Sequence, residues 1–239
     1  MKESLGMKNL LIIPSHKRPN KLQTCLDSVL KNSSCSDIFV ILNHEDAESY
    51  SNIIKKYAIA NVRFMFTNKN TCPDKLNHVC DMYGENYDFV SFIGDDCVVT
   101  TPNWDAICAN YINNHFSGLG VVSPSEPSWG RNYDDLPLHW MQSKSFWKTV
   151  GYFVHRGMKH CYVDNIIRDF AKSIDGYAKI PTCIVEHHHP NHGFENDEVY
   201  DEGEKKHCED DKRVYNQFLN SPEYFETLKK LQEAKINVQ

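Results

Sequence analysis

Asp95 and Asp96 follow the apolar run Tyr87 to Ile93 after a single glycine, Gly94. Two neighbouring carboxylates at the end of a buried strand repel each other unless a cation or a hydrogen-bond network compensates them. At a phosphate site the compensating group is a hard divalent ion, Mg²⁺ or Mn²⁺; the plainer reading is a strand-end turn in which Asp makes local hydrogen bonds. His187-His188-His189-Pro190 follows a second strand-like run, Thr182 to Val185. In extended backbone, positions 187 and 189 face the same side, so His187 and His189 are candidate nitrogen ligands to a cation held by Asp96. Such a mixed shell favours Mn²⁺; the alternative is a polar surface turn. Asp164 lies just before an amphipathic stretch, where a carboxylate serves as a helix cap or, near an acceptor hydroxyl, as a general base.

Pro14-Ser15-His16-Lys17-Arg18-Pro19 is a polar loop with two cations and no glycine. Neither a G-x-G-x-x-G nor a G-x-x-x-x-G-K-[ST] pattern occurs in the chain, which disfavours a dinucleotide oxidoreductase and a P-loop nucleotide hydrolase.

The elements that position these groups alternate. Lys8 to Pro14 reads as a strand, Lys21 to Lys31 as a helix, Asp37 to Leu42 as a strand ending in Asn43-His44-Glu45-Asp46, Ala47 to Ala58 as a helix and Val62 to Phe66 as a strand. Lys75 to Glu85 is a further helix before the strand at 87–93. This alternation predicts parallel strands joined by right-handed crossovers. The polar clusters after Ile13, Leu42 and Ile93 should therefore converge on one crevice beyond the carboxyl ends of the strands. Beyond Asp96, Trp104 to Phe116 reads as helix, Gly120 to Ser123 as a short strand, and Pro124 to Pro137 as a loop long enough to be a binding segment or lid. Strand and helix character returns over Lys144 to Val154, Tyr162 to Ile174 and Ala178 to Val185, and the chain closes on a helical stretch, Asp210 to Ala234.

Composition fits one α/β domain: 239 residues, 41% hydrophobic, 12% aromatic and 24% charged. No apolar run approaches a membrane span and no secretory leader is evident, so the expectation is a soluble, cytoplasmic protein. Nine scattered cysteines with no C-x-x-C pair argue against a disulfide framework or zinc ribbon and suggest that most are buried or inert thiols in a reducing compartment. The net charge of −6 is uneven. Residues 1–75 carry eleven Lys/Arg against seven Asp/Glu, whereas Phe194 to Asp211 carry nine acidic side chains against two lysines. The basic half suits a small anion, but the chain lacks the excess that grips a long polyanion.

Taken together, Ile12 to Pro19, Ile41-Leu42-Asn43, Lys75-Leu76-Asn77, Phe92-Ile93-Gly94-Asp95-Asp96, Val150-Gly151-Tyr152-Phe153, Val163-Asp164 and the late histidine resemble, in order and spacing, the family 2-like glycosyltransferases of the GT-A fold. The resemblance spans roughly residues 8–190. It implies a single Rossmann-like α/β domain with a mostly parallel central sheet flanked by helices, with residues 191–239 forming an acidic segment and helix packed on the same domain. Donor binding would fall to Pro14, Ser15, His16, Arg18 and Asn43, with Glu45 or Asp46 as substitutes, together with Lys75, Asn77 and Asp95. Asp96, His187 and His189 would hold Mn²⁺ or Mg²⁺. Asp164 would be the base of an inverting transfer, although Val163 stands where the family carries a first acidic residue.

The donor would be a nucleoside-diphosphate sugar. The segment 190–211 is similar to tails of short glycosyltransferase-like proteins of bacteria and phages, which points to a glycan, a protein or a hydroxylated DNA base as acceptor, with Trp129, Arg131 and Trp140 placed for acceptor contacts. A pyrophosphorylase would need a glycine-rich first loop that is absent. The rival of a different class is a non-catalytic nucleotide-sugar-binding or interaction module, left open by Val163.

Overall fold

The NLLIIP run forms β1 (Asn9–Pro14), whose side chains are almost wholly buried. A strand buried on both faces needs partners on both edges and helices on both sides. In the computed structural model, which describes residues 6–60, 62–127, 135–190 and 193–238, β1 lies between β2 (Ser36–Asn43) and β4 (Phe89–Phe92), parallel to both. β2 pairs in parallel with β3 (Val62–Thr67). The crossovers run through α1 (Pro19–Asn32), α2 (Ser51–Tyr57) and α3 (Cys72–Tyr83).

β4 then pairs antiparallel with β7 (Trp140–Ser143), and β6 (Val121–Ser125) antiparallel with β7 and parallel with β8 (Tyr177–His187); β5 (Cys97–Val99) closes the edge against β8. The order is β3-β2-β1-β4-β7-β6-β8-β5. The fold is thus mixed α/β, as expected, with a parallel half and a more mixed half. The strand sequence reverses between β1 and β4, and that reversal opens a crevice at their carboxyl ends.

Alternation along β1 divides the core. Leu11 and Ile13 pack with α1, α2 and α4 (Trp104–Phe116), whereas Leu10 and Ile12 pack with α3, α5 (Lys144–Val150) and α6 (Val163–Lys172). Phe218 of α7 (Glu198–Phe218) and Leu231 of α8 (Pro222–Val238) join the second layer. The helical stretch read as 210–234 is therefore two helices, divided before Pro222, because proline disfavours helical backbone in the preceding residue. No helix among the described residues is long and apolar enough to cross a membrane.

Three features depart from the sequence reading. β5 and β7, three and four residues long, are strands too short for periodicity to show in the sequence. Cys161 and Cys208 form a disulfide with Cα atoms 5.3 Å apart, joining the segment before α6 to α7. The other seven cysteines are unpaired, as expected of most of them; this pair was not expected, since a separation of 47 residues leaves no local spacing signal.

Asp105 fastens one side of the sheet. Fully buried on α4, it accepts hydrogen bonds from the backbone of Ser34, Cys35 and Ala106 and from the hydroxyls of Ser34 and Ser36. Burial opposes its charge, but these donors outweigh burial and hold its pKa below the usual carboxylate value. Asp105→Ala should cost about 3 kcal/mol, since buried donors left unpaired cost about 1–3 kcal/mol each, and lower Tm by roughly 6–12 °C. Because the folded pKa is depressed, this contribution is complete above the unfolded value and lost as pH falls through the folded one. Urea melts from pH 6 to pH 3 should therefore show a smaller acid-induced loss in Asp105→Asn than in the wild type.

Candidate active site

The crevice is built at the loop that leaves β1. Ser15 continues the strand pairing by donating its N–H to the Ile41 carbonyl. Lys17 takes a left-handed φ of +56°, turning the chain into α1, which Pro19 opens. Behind the loop stands Tyr50, fully buried. Its hydroxyl lies 2.6 Å from Ser15 Oγ and accepts the Arg18 N–H at 2.8 Å, and Ser15 Oγ donates to Asp95 Oδ2 at 2.6 Å. With Asp95 ionised, the protons run one way, from the Arg18 amide through Tyr50 and Ser15 to the carboxylate.

Asp95 and Asp96 lie in the tight connection between β4 and β5, both buried. A Cβ at position 94 would stand 2.7 Å from Asp96 Oδ1, so any larger residue there would push that carboxylate out of place. Arg18 Nη1 reaches Asp96 Oδ2 at 3.0 Å and Asp95 Oδ1 at 3.4 Å. Burial opposes the guanidinium charge, yet Asp95, Asp197 and Asp96 hold its pKa above the usual value. Burial and then the charge of Asp96 push the Asp95 pKa up. For Asp96, burial is outweighed by His187, Arg18 and Tyr200, and its pKa is lowered. The pair behaves as one firm anion beside one reluctant one.

His187 ends β8 opposite Cys97, with Nε2 3.2 Å from Asp96 Oδ1. Asp96, Cys97 and His187 present oxygen, sulfur and nitrogen atoms within 4.8 Å of one another. Burial holds the Cys97 thiol well above its usual pKa, and sulfur is a soft donor that Mn²⁺ and Mg²⁺ do not favour. The donors that fit a borderline divalent cation are thus Asp96 and His187. His189 is set back: its buried ring stands edge-on to His187 at 5.1 Å and to Tyr200 at 4.5 Å.

Most of the residues that the resemblance assigns to donor binding stand around the same loop. Lys75 is buried on α3 with Nζ 3.4 Å from the Ser15 carbonyl, and burial lowers its pKa against the pull of nearby Asp46, Asp95 and Glu45. His16 Nδ1 lies 2.7 Å from Asp46 Oδ2, and Glu45 is exposed at the rim. Pro14 is the half-buried last residue of β1. Asn43 is buried at the end of β2, its amide 3.5 Å from Glu45, and its Oδ1 has no hydrogen-bond partner among the described residues.

Two sequence assignments are corrected. Asn77 spends both ends of its amide on the backbone of Val154, at 2.8 and 3.1 Å, and so pins the segment after α5 to α3. Trp140 is 2% exposed and packs against Phe92 and Phe153, a core position with no face open to an acceptor. Trp129 and Arg131 lie outside the described residues. Asp164, the second residue of α6, is half-buried and accepts the Asn165 N–H at 2.9 Å. Burial raises its pKa, and it does not join the hydrogen-bonded cluster around Asp95 and Asp96.

The sequence reading missed Tyr50, Lys21, Asp197 and Tyr200. Arg18 Nη2 donates to Asp197 Oδ1 and Lys21 Nζ to Asp197 Oδ2, both at 2.6 Å. Tyr200 donates its hydroxyl to Asp96 Oδ2, while the Arg18 guanidinium lies 4.0 Å over its ring. Asp197 is also the N-cap of α7, bonding the amides of Val199 and Tyr200. An Asp at the start of a helical stretch was the available signal.

No protein-family model and no curated protein matches the chain. Solved structures do match it. A fragment of S. aureus TarS in complex with UDP-GlcNAc aligns over 97% of this chain and 73% of its own, with a TM-score of 0.65 and 13% identity. The mannosyltransferase PcManGT from Pyrobaculum calidifontis, in complex with GDP-Man and Mn²⁺, aligns over the same shares with a TM-score of 0.64 and 10% identity. GalNAc-T7 with UDP, GalNAc and Mn²⁺ gives 0.58 at 11% identity over 77% of this chain and 44% of that one. The chain spans 60% of the TarS fragment bound to UDP and 40% of the longer TarS chain. The fold is that of the GT-A-type glycosyltransferases.

Tyr50→Phe should lower stability by about 1–2 kcal/mol, because the Arg18 N–H loses its acceptor in a buried site. Chemical denaturation of the two proteins measures the difference, and an unchanged midpoint would remove Tyr50 from the framework of the site.

Proposed function

We propose that the chain is a glycosyltransferase that moves a sugar from a nucleoside-diphosphate sugar to an acceptor hydroxyl, with a divalent cation, Mn²⁺ or Mg²⁺, at Asp96 and His187. The observation that carries this reading is the buried Asp95–Asp96 pair facing His187 at the strand-order reversal of a GT-A-type sheet. Asn43 Oδ1, a buried acceptor without a partner among the described residues, suits an N–H of the nucleotide base. Ser15, His16 and Lys75 line the donor side, and Arg18 offers the planar fork that pairs with phosphate oxygens. A bound cation would supply charge to stabilise the leaving nucleoside diphosphate.

Asp164 is the proposed base: with its pKa raised by burial it accepts the proton of the attacking hydroxyl. Attack on the anomeric carbon from the face opposite the diphosphate inverts the sugar. The acceptor belongs to one of three classes: a glycan, a protein or a hydroxylated DNA base. The contact between Asp164 and the Asn165 amide favours one second reading, in which Asp164 only shapes the helix start and the chain binds nucleotide sugars without turnover.

One pair of variants separates the two. Asp164→Asn should lower kcat by about 10²–10⁴-fold, the usual contribution of a general base, with donor affinity unchanged. Asp96→Ala should lose cation-dependent donor binding. Product NMR should show inversion; transfer by Asp164→Asn at the wild-type rate, or a retained anomer, removes Asp164 from the base role.

A further inference from the structure

The start of α7 bonds the groups assigned above to the donor and its cation: Asp197 takes Arg18 and Lys21, and Tyr200 takes Asp96. Arg18 and Lys21 are two cations converging on one small anion, and that anion is the Asp197 carboxylate, 2.6 Å from each. A diphosphate is the other anion that such a pair accepts. The second half of the contact is Tyr200, whose hydroxyl takes up Asp96 Oδ2 while its ring covers the Arg18 guanidinium. The opening left beside Asp96 is a cavity of about 240 Å³ lined by Lys21, Thr24, Cys97, His188, Phe194 and Glu195. Ligand pockets ordinarily span about 300–1,000 Å³.

Resting on the nucleotide-sugar reading above, we infer that Asp197 and Tyr200 form an internal latch that holds the site closed. Asp197 stands in for the donor diphosphate on Arg18 and Lys21, and Tyr200 competes with the cation for Asp96. The latch is held to the crevice by polar contacts that a charged ligand can replace: Asp197 on Arg18 and Lys21, Tyr200 on Asp96, and Glu198 on Lys17 at 3.4 Å, with Asp197 itself only partly buried. Farther along, α7 is anchored independently of the site. Asp211, buried, accepts the backbone N–H groups of Lys159, His160 and Cys161. The first turn of α7 can thus release while the rest of the helix stays docked, and Arg18 is then free to turn from Asp197 to a phosphate. A ligand shifts such an equilibrium only through its different affinity for the two states, so removing the latch must raise cation affinity.

The test uses Mn²⁺ alone as the probe, titrated by calorimetry into the wild type and Tyr200→Phe, which keeps the ring and deletes the hydroxyl. The variant should bind Mn²⁺ at least tenfold more tightly. Hydrogen exchange on the wild type supplies a second readout: Mn²⁺ should speed exchange at the amides of Val199 and Tyr200, and leave those of Lys159 to Cys161 unchanged. Equal or weaker binding by Tyr200→Phe, or unchanged exchange at Val199 and Tyr200 with Mn²⁺ bound, overturns the latch and leaves the cation site standing. Absence of Mn²⁺ binding in both proteins overturns the cation site and the latch with it.

Discussion

Two carboxylates buried side by side are tolerated only where positive charge and hydrogen-bond donors surround them, and the architecture around Asp95 and Asp96 answers that demand. β1 brings Ser15 and Arg18, α2 is preceded by Tyr50, β8 ends on His187, and α7 returns Tyr200 to the same point. The charges divide unequally, with Asp96 the firmer anion and Asp95 the more easily protonated. The main counter-cation is one buried side chain, Arg18, shared among Asp95, Asp96 and Asp197.

The fold accounts for why these residues meet. Parallel strands deliver their following loops to one edge of the sheet, and the reversal between β1 and β4 separates those loops into a crevice. The short antiparallel β5 then sets Cys97 opposite His187, so the acidic turn and the end of β8 are in register. The asymmetry of charge along the chain acquires a local meaning as well. The acidic stretch after Phe194 lies against the basic loop and α1 through Asp197, with Arg18 and Lys21 as its partners.

Local periodicity made much of this legible. The apolar runs at β1, β2 and β3 and the helical spacing of α1 were readable because each is long enough to show its repeat. The acidic pair was conspicuous because it follows a buried run, and His187 because it ends another. Asn77 and Trp140 misled for a shared reason: a motif position states a residue type, but burial and pairing are decided by the segment packed against it, here the Val154 backbone and Phe153. Tyr200 and Asp96 are 104 residues apart, and Tyr50 and Ser15 35 apart. Contacts of that separation leave no spacing pattern, so both tyrosines were invisible until the chain was folded. The disulfide between Cys161 and Cys208 belongs to the same class.

The most direct test of the central claim, a cation-assisted nucleotide-sugar site at Asp95 and Asp96, is thermal unfolding with a panel of nucleoside diphosphates and nucleotide sugars, each with Mn²⁺ and with EDTA. A ligand at about 100 times its Kd adds roughly 2.7 kcal/mol, a rise of about 5–10 °C for a chain of this size. The account predicts such a rise for one class of nucleotide, present with Mn²⁺, lost in EDTA and lost in Asp96→Ala. No rise with any nucleotide, with or without the cation, would contradict it and leave the acidic pair as a structural turn.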